Sequence, residues 1–332
     1  MRNYLIQPFF LILLATWTVS FNNYGFAQTV GSSVTGSQTV QIQNKYGVDP
    51  NTTIMSRVKP TSPDIQKRFR EAGMSPREHK LNKGDSLKVA KAFDALPALH
   101  QRILKAHLLS INFLDNMPNT ALTSTVNPDD EFPIFTITIR AEILNQNVSQ
   151  WLTEKEQTCF ISTGSPLNVS IEAGVLDAIL YVILHETTHV VDGSLKIVEA
   201  LWSQGKLVLN FPKNKFTGGV WSDRVSTDPK YMDTLLDGIR FRHNGKAIPI
   251  EKAQSVYLVL ERTPFVSLYA SCSWHEDLAE YLTVYHFTRQ LKQPFRIIIR
   301  DNKREIFIYE PMKSELVRSR IKQMKRFYKN TD

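Results

Sequence analysis

The stretch Leu184-His185-Glu186-Thr187-Thr188-His189-Val190-Val191-Asp192 follows a run, Val175-Leu176-Asp177-Ala178-Ile179-Leu180-Tyr181-Val182-Ile183, that is apolar almost all the way round. A helix that is apolar on every side is a buried one. Two histidines and two acids at the end of such a segment are expensive, because an unpaired buried polar group costs roughly 2–7 kcal/mol on transfer scales. A bound metal ion would offset that cost. The pattern predicts one long helix over residues 172–191, with Gly193 as its C-terminal stop.

In a helix, positions i and i+4 share a face, so His185 and His189 can bring two imidazole nitrogens to one ion. Glu186 is turned by about 100° from His185 and is free to serve as a base and not as a ligand. This is HExxH, two zinc ligands with a general base between them. A catalytic zinc takes three protein ligands and a water, whose pKa it lowers towards about 7. Asp192, seven residues after His185, returns to the histidine face. There it is placed to accept a hydrogen bond from a ligand's second ring nitrogen. The metzincin continuation, with Gly and His three and six residues after His189, is absent, since Asp192 and Leu195 stand there.

A third ligand must come from elsewhere. The segment Cys272-Ser273-Trp274-His275-Glu276-Asp277-Leu278-Ala279-Glu280-Tyr281-Leu282-Thr283-Val284-Tyr285-His286 reads as a second helix over residues 274–289. Glu276 and Glu280 are i and i+4 on one face, and Leu278, Leu282 and Tyr285 pack the other. Either carboxylate would complete a His₂Glu zinc site.

With both segments read, the sequence resembles the gluzincin metalloproteases, and within them the anthrax-toxin lethal-factor type. The likeness rests on His185-Glu186-Thr187-Thr188-His189-Val190-Val191-Asp192 together with Glu276-Asp277-Leu278-Ala279-Glu280. The resemblance implies an α+β, zincin-like fold with a mostly helical second lobe. It implies Glu276 as the third zinc ligand, Glu280 as a supporting acid, and Tyr269, seven residues before Glu276, as a stabiliser of the oxyanion. The expected function is zinc-dependent hydrolysis of a protein or peptide, with Glu186 moving the proton. His243, His275 and His286 are further candidates for polarising the carbonyl, while Tyr281 and Tyr285 read as packing residues. Two other functions use the same residues: hydrolysis of a non-protein amide, in a cell wall or a glycan, and a silent zinc-containing binding protein. Glu186 argues against the last, since a structural zinc has no use for a base beside a ligand.

The N-terminus reads as an export signal. Arg2 precedes the apolar run Pro8-Phe9-Phe10-Leu11-Ile12-Leu13-Leu14-Ala15, and Tyr24-Gly25-Phe26-Ala27 supplies the small residues of a cleavage site after Ala27. Asn22 and Asn23 interrupt the apolar run short of the ~20 residues an anchor needs. The expectation is a secreted or periplasmic chain with no stable membrane insertion after cleavage. Loss of residues 1–27 removes only Arg2, taking the net charge from +8 to +7. No nucleic-acid-binding motif accompanies that charge. The dense basic stretch from Lys313 to Lys329 reads as the solvated face of an amphipathic terminal helix. Two cysteines in an exported chain, Cys159 and Cys272, allow one disulfide.

The remaining chain divides into a low-complexity leader over residues 28–60 and one catalytic unit, or two lobes sharing a cleft, over residues 61–332. The leader shows no helical period and reads as exposed or disordered. Residues 85–114 read as helical, divided at Pro97. A loop is expected over 117–128, a half-buried strand over 133–140, and helices over 151–160 and 255–260. Long loops are expected over 204–245, and a hairpin turns at Asp301-Asn302-Lys303. Helices separated by scattered strands make the class α+β.

Overall fold

The structure, a computed structural model, describes residues 36–162, 164–198, 201–203, 206–208 and 215–329. The expected signal peptide, with its cleavage point after Ala27, lies outside them. Helices α1 (Gly36–Tyr46) and α2 (Pro63–Glu71) precede strand β1 (Arg77–Glu78). Next, α3 (Lys83–Asp94) and α4 (Ala98–His107) lead into β2 (Leu108–Asp115), β3 (Ala121–Thr125) and β4 (Phe135–Arg140). These are followed by α5 (Val148–Gln157), β5 (Phe160–Ile161), β6 (Leu167–Glu172) and α6 (Ala178–Leu195). Beyond α6 lie β7 (Leu201–Ser203), β8 (Lys206–Val208), α7 (Thr234–Asp237), β9 (Ile248–Pro249), α8 (Ala253–Glu261) and α9 (Trp274–Tyr285). The chain closes with β10 (Arg296–Asp301), β11 (Arg304–Tyr309), α10 (Glu315–Arg318) and α11 (Ile321–Met324). The class is α+β.

The larger sheet has the order β1-β2-β4-β3, with β2 and β4 parallel and the other pairs antiparallel. A second sheet, β11-β10-β6, is antiparallel throughout. Strand β4 is buried at five of its six residues and not half-buried as expected, because it lies between two partners under the helices. The loop expected over 117–128 contains β3, the edge strand beside α6. Residues 108–114, expected as helix, form all but the last residue of β2. Pro97 does stand at the start of α4, as its fixed φ and missing N–H allow.

Helix α6 runs through the centre, packed by α3, α4, α5, α9 and β3. It starts at Ala178, since residues 167–172 pair with β10, and it ends past Gly193 at Leu195. Gly193 is therefore not the stop. A Cβ there would meet the Phe135 ring at 2.8 Å, so the glycine lets α6 lie against β4. The stop is Lys196, in the left-handed region at φ 51°, whose N–H caps the Asp192 carbonyl.

Residues 36–60 also differ from the expected leader. Gln43 donates to the Ala106 carbonyl, Tyr46 donates to Asp130 at 2.5 Å, and Lys59 N–H donates to the Ile111 carbonyl. The segment is docked on α4 and β2 by contacts that no local period announces. At the other end, the expected amphipathic helix is broken into α10, α11 and a 3-10 turn. The Tyr281 hydroxyl takes the Val317 carbonyl, and Arg320 turns inward onto Asp277 at 2.6 and 2.9 Å. Among the described residues no helix is long and apolar enough to cross a membrane.

Candidate metal centre

Two helices build the site. On α6, His185 and Glu186 are buried at a point where every residue from Tyr181 to Thr188 is buried. On α9, the Ser273 side chain accepts from Glu276 N–H and caps the helix, which sets Glu276 in its first turn. The packing of α6 against α9 then brings three donor atoms together. His185 Nε2 lies 3.0 Å from Glu276 Oε2 and 3.2 Å from His189 Nε2, and His189 Nε2 lies 3.5 Å from Glu276 Oε2.

That triangle has the dimensions of one face of a metal's coordination shell. Donors about 2.0–2.1 Å from a tetrahedral ion stand about 3.3–3.4 Å apart. Two imidazole nitrogens and a carboxylate oxygen are also the donor set of a catalytic zinc site. The three residues therefore fit a zinc ion, and they are the one group of this kind among the described residues.

The surrounding charges favour keeping Glu276 ionised. Burial works against its charge, but His189 and His185 outweigh it and hold the carboxyl well below its usual range. Burial likewise opposes a charge on His185, yet Glu276 and Glu280 push its pKa up to about 10. Glu280 stands behind His185, with Oε1 3.1 Å from Nδ1 and off the line of a regular hydrogen bond. Its other oxygen accepts from Ser267 Oγ at 2.7 Å and Tyr181 Oη at 3.1 Å. Burial is overcome by Lys155, His185 and Ser267, which hold the Glu280 carboxyl at about 2.

Glu186 is fixed by a residue the sequence reading passed over. Thr123 Oγ1 on β3 donates to Glu186 Oε2 at 2.7 Å. The alternating, β-branched Ala121-Leu122-Thr123-Ser124-Thr125 was the available signal for that strand. Lys155 on α5 was also missed. Its ammonium lies 3.5 Å from the centre of the Tyr269 ring and 4.0 Å from Glu280. Tyr269 has its ring 5.8 Å from that of His185. Burial and the charge of Glu276 push its pKa well up, so it remains a phenol and a hydrogen-bond donor at neutral pH.

Other expected residues sit elsewhere. Both Asp192 oxygens are engaged away from His185 and His189: His275 Nδ1 lies at 2.6 Å from one, and Val198 N–H donates to the other at 2.9 Å. Glu280, and not Asp192, is the acid beside the second ring nitrogen of His185, because α9 reaches that side of it. His243 is exposed, and His286 pairs with Tyr328 Oη at 2.8 Å. Tyr281 and Tyr285 pack, the latter against Tyr328. Cys159 and Cys272, which the sequence allows to pair, are free thiols in the structure. The Cys272 thiol is turned to the Phe241 carbonyl, and burial with the charge of Glu156 keeps the Cys159 thiol protonated.

Comparison with protein-family models, with curated proteins and with solved structures returns no match to this chain.

Proposed function

We propose that the chain is an exported zinc metallopeptidase of the gluzincin kind, with a zincin-like catalytic unit. The observation that carries this reading is the 3.0–3.5 Å triangle of His185, His189 and Glu276 beside a glutamate held by Thr123. Zinc bound by those three residues would supply a Lewis acid that polarises the scissile carbonyl and acidifies the attacking water.

The chain's own residues do the rest. Glu186 takes a proton from the attacking water as the C–O bond forms, and passes it to the amide nitrogen as the C–N bond breaks. Thr123 occupies Oε2 of Glu186, which leaves Oε1 for that proton. The Tyr269 phenol is available to donate to the carbonyl oxygen as negative charge gathers there. Glu280, held by Ser267 and Tyr181, sets a negative charge beside Nδ1 of His185. A base held by its own hydrogen bond beside the ligand histidines favours catalysis over storage of a structural ion.

The test is incubation of the zinc-loaded chain with an unbiased peptide library, scored for new termini by mass spectrometry. Cleavage is expected, and Glu186→Gln should lower it by about 10²–10⁴-fold with zinc content unchanged. No cleavage by the zinc-loaded chain would contradict the proposal. So would loss of zinc from Glu186→Gln as complete as that from His185→Ala.

A further inference from the structure

At the C-terminal end of α6, past the candidate metal centre, lies a cleft of about 450 Å³. Six cationic side chains line it: Lys196, Lys215, Lys322, Lys325, Arg326 and Lys329. They come from three separate parts of the chain, so the cleft is not the outer face of one helix. Among the described residues its lining carries no carboxylate. Phe216 and Ile197, both buried, give it an apolar floor, and the exposed Leu195 stands at its edge.

The C-terminal half of this cluster is held on a fixed frame. Met324 and Phe327 are fully buried between the basic residues. Just before them, Arg320 is anchored through both of its NH groups to Asp277 of α9. The cations are thus presented by a docked segment and not by a loose tail. The C-terminal end of α6 attracts positive charge, but a helix dipole amounts to about half a unit charge there. Lys196 stands at that end and has a partner of its own, which leaves Lys215, Lys322, Lys325, Arg326 and Lys329 to share a concave space, where field lines concentrate.

We infer that this cleft binds a compact, soluble polyanion that carries several phosphate or sulfate groups. One oxyanion would neutralise too little of the cluster, and a flat anionic surface would not enter a concavity. The apolar floor suits a ring or short carbon frame that holds the groups apart. This inference concerns binding alone and stands independently of the metallopeptidase reading.

The test is calorimetric titration of the full chain with myo-inositol hexasulfate at physiological ionic strength, with inorganic sulfate as the single-group comparison. A sulfate probe is chosen because it chelates transition metals weakly, which keeps the reading separate from the metal centre. Saturable binding of one molecule per chain is expected, at least tenfold tighter than inorganic sulfate. Lys322→Ala with Arg326→Ala should weaken it at least tenfold. Lys303→Glu, on the exposed turn of the β10-β11 hairpin, changes net charge more per site and should alter it less than twofold. Absence of saturable binding would overturn the inference, as would equal weakening by Lys303→Glu. Binding to anionic phospholipid vesicles that the hexasulfate fails to displace would assign the cleft to a membrane surface instead.

Discussion

Thr123 and Glu186 are 63 positions apart in sequence and joined by one 2.7 Å hydrogen bond. A hydrogen bond to a charged partner is worth about 1.5–3 kcal/mol, so losing this one should slow proton transfer by roughly ten- to a hundredfold. Thr123→Val is therefore expected to lower kcat by that factor, with KM and zinc content little changed, and Thr123→Ser should restore most of the rate. Steady-state kinetics with metal analysis on the three proteins checks this. A Val variant with normal kcat would show that Glu186 does not depend on the contact. The histidines and Glu186 were legible because HExxH is a local pattern with a helical period. Thr123 was not, since its role appears only once β3 pairs with β4 and the edge of that sheet lies along α6. Lys155 was hidden for the same reason: a lysine on an amphipathic helix reads as solvated until Tyr269 and Glu280 are brought over it.

At the scale of elements, the contact of α6 with β4 depends on Gly193. Sequence reading took that glycine for a helix terminator, the common use of the residue, when its use here is close approach to Phe135. Gly193→Val should lower unfolding free energy by about 1–3 kcal/mol, and Phe135→Leu added to it should recover part of the loss. Urea unfolding of the single and double variants measures both numbers. An unchanged or raised midpoint for Gly193→Val would mean that the ring yields without strain. Helices α6 and α9 could be read because their apolar spacing is internal to each segment. Strand β2 could not, because Leu108-Leu109-Ser110-Ile111-Asn112-Phe113-Leu114 continues the apolar spacing of α4, and its parallel partner β4 is distant in sequence. The terminal segment is not one continuous amphipathic helix, and the residues that hold Val317 and Arg320, Tyr281 and Asp277, lie on another element where its own spacing does not show them.

For the molecule as a whole, two neutral histidines sit in the core that surrounds α6. His100 is fully buried, donates from Nε2 to Thr188 Oγ1 at 3.0 Å, and packs on Phe327. Burial, reinforced by His286, lowers its pKa to about 3, and burial lowers that of His286 to about 4. Both folded values lie below the unfolded value of about 6.5. The unfolded chain therefore takes up these protons first. Stability is unaffected by them above pH 6.5 and falls as the pH drops below it, by about 1.4 kcal/mol per pH unit for each histidine. Between pH 6.5 and 5.0, His100→Gln should show a slope shallower than the parent by about that amount in urea unfolding. Identical slopes would mean that His100 is not held neutral in the fold. The docking of residues 36–60 and the gathering of basic residues at the end of α6 are likewise properties of the assembled molecule. Composition gave the number of charges but not their meeting place.

The metal centre itself is tested most directly by elemental analysis of the chelator-free chain after zinc dialysis. His185, His189 and Glu276 should hold one zinc per chain. Glu276→Ala should lose most of it, while Glu280→Ala, which removes only the acid behind His185, should retain zinc with an affinity weakened by about 10–100-fold. Absence of a transition metal from the parent, or zinc lost from Glu280→Ala but kept by Glu276→Ala, would contradict the assignment.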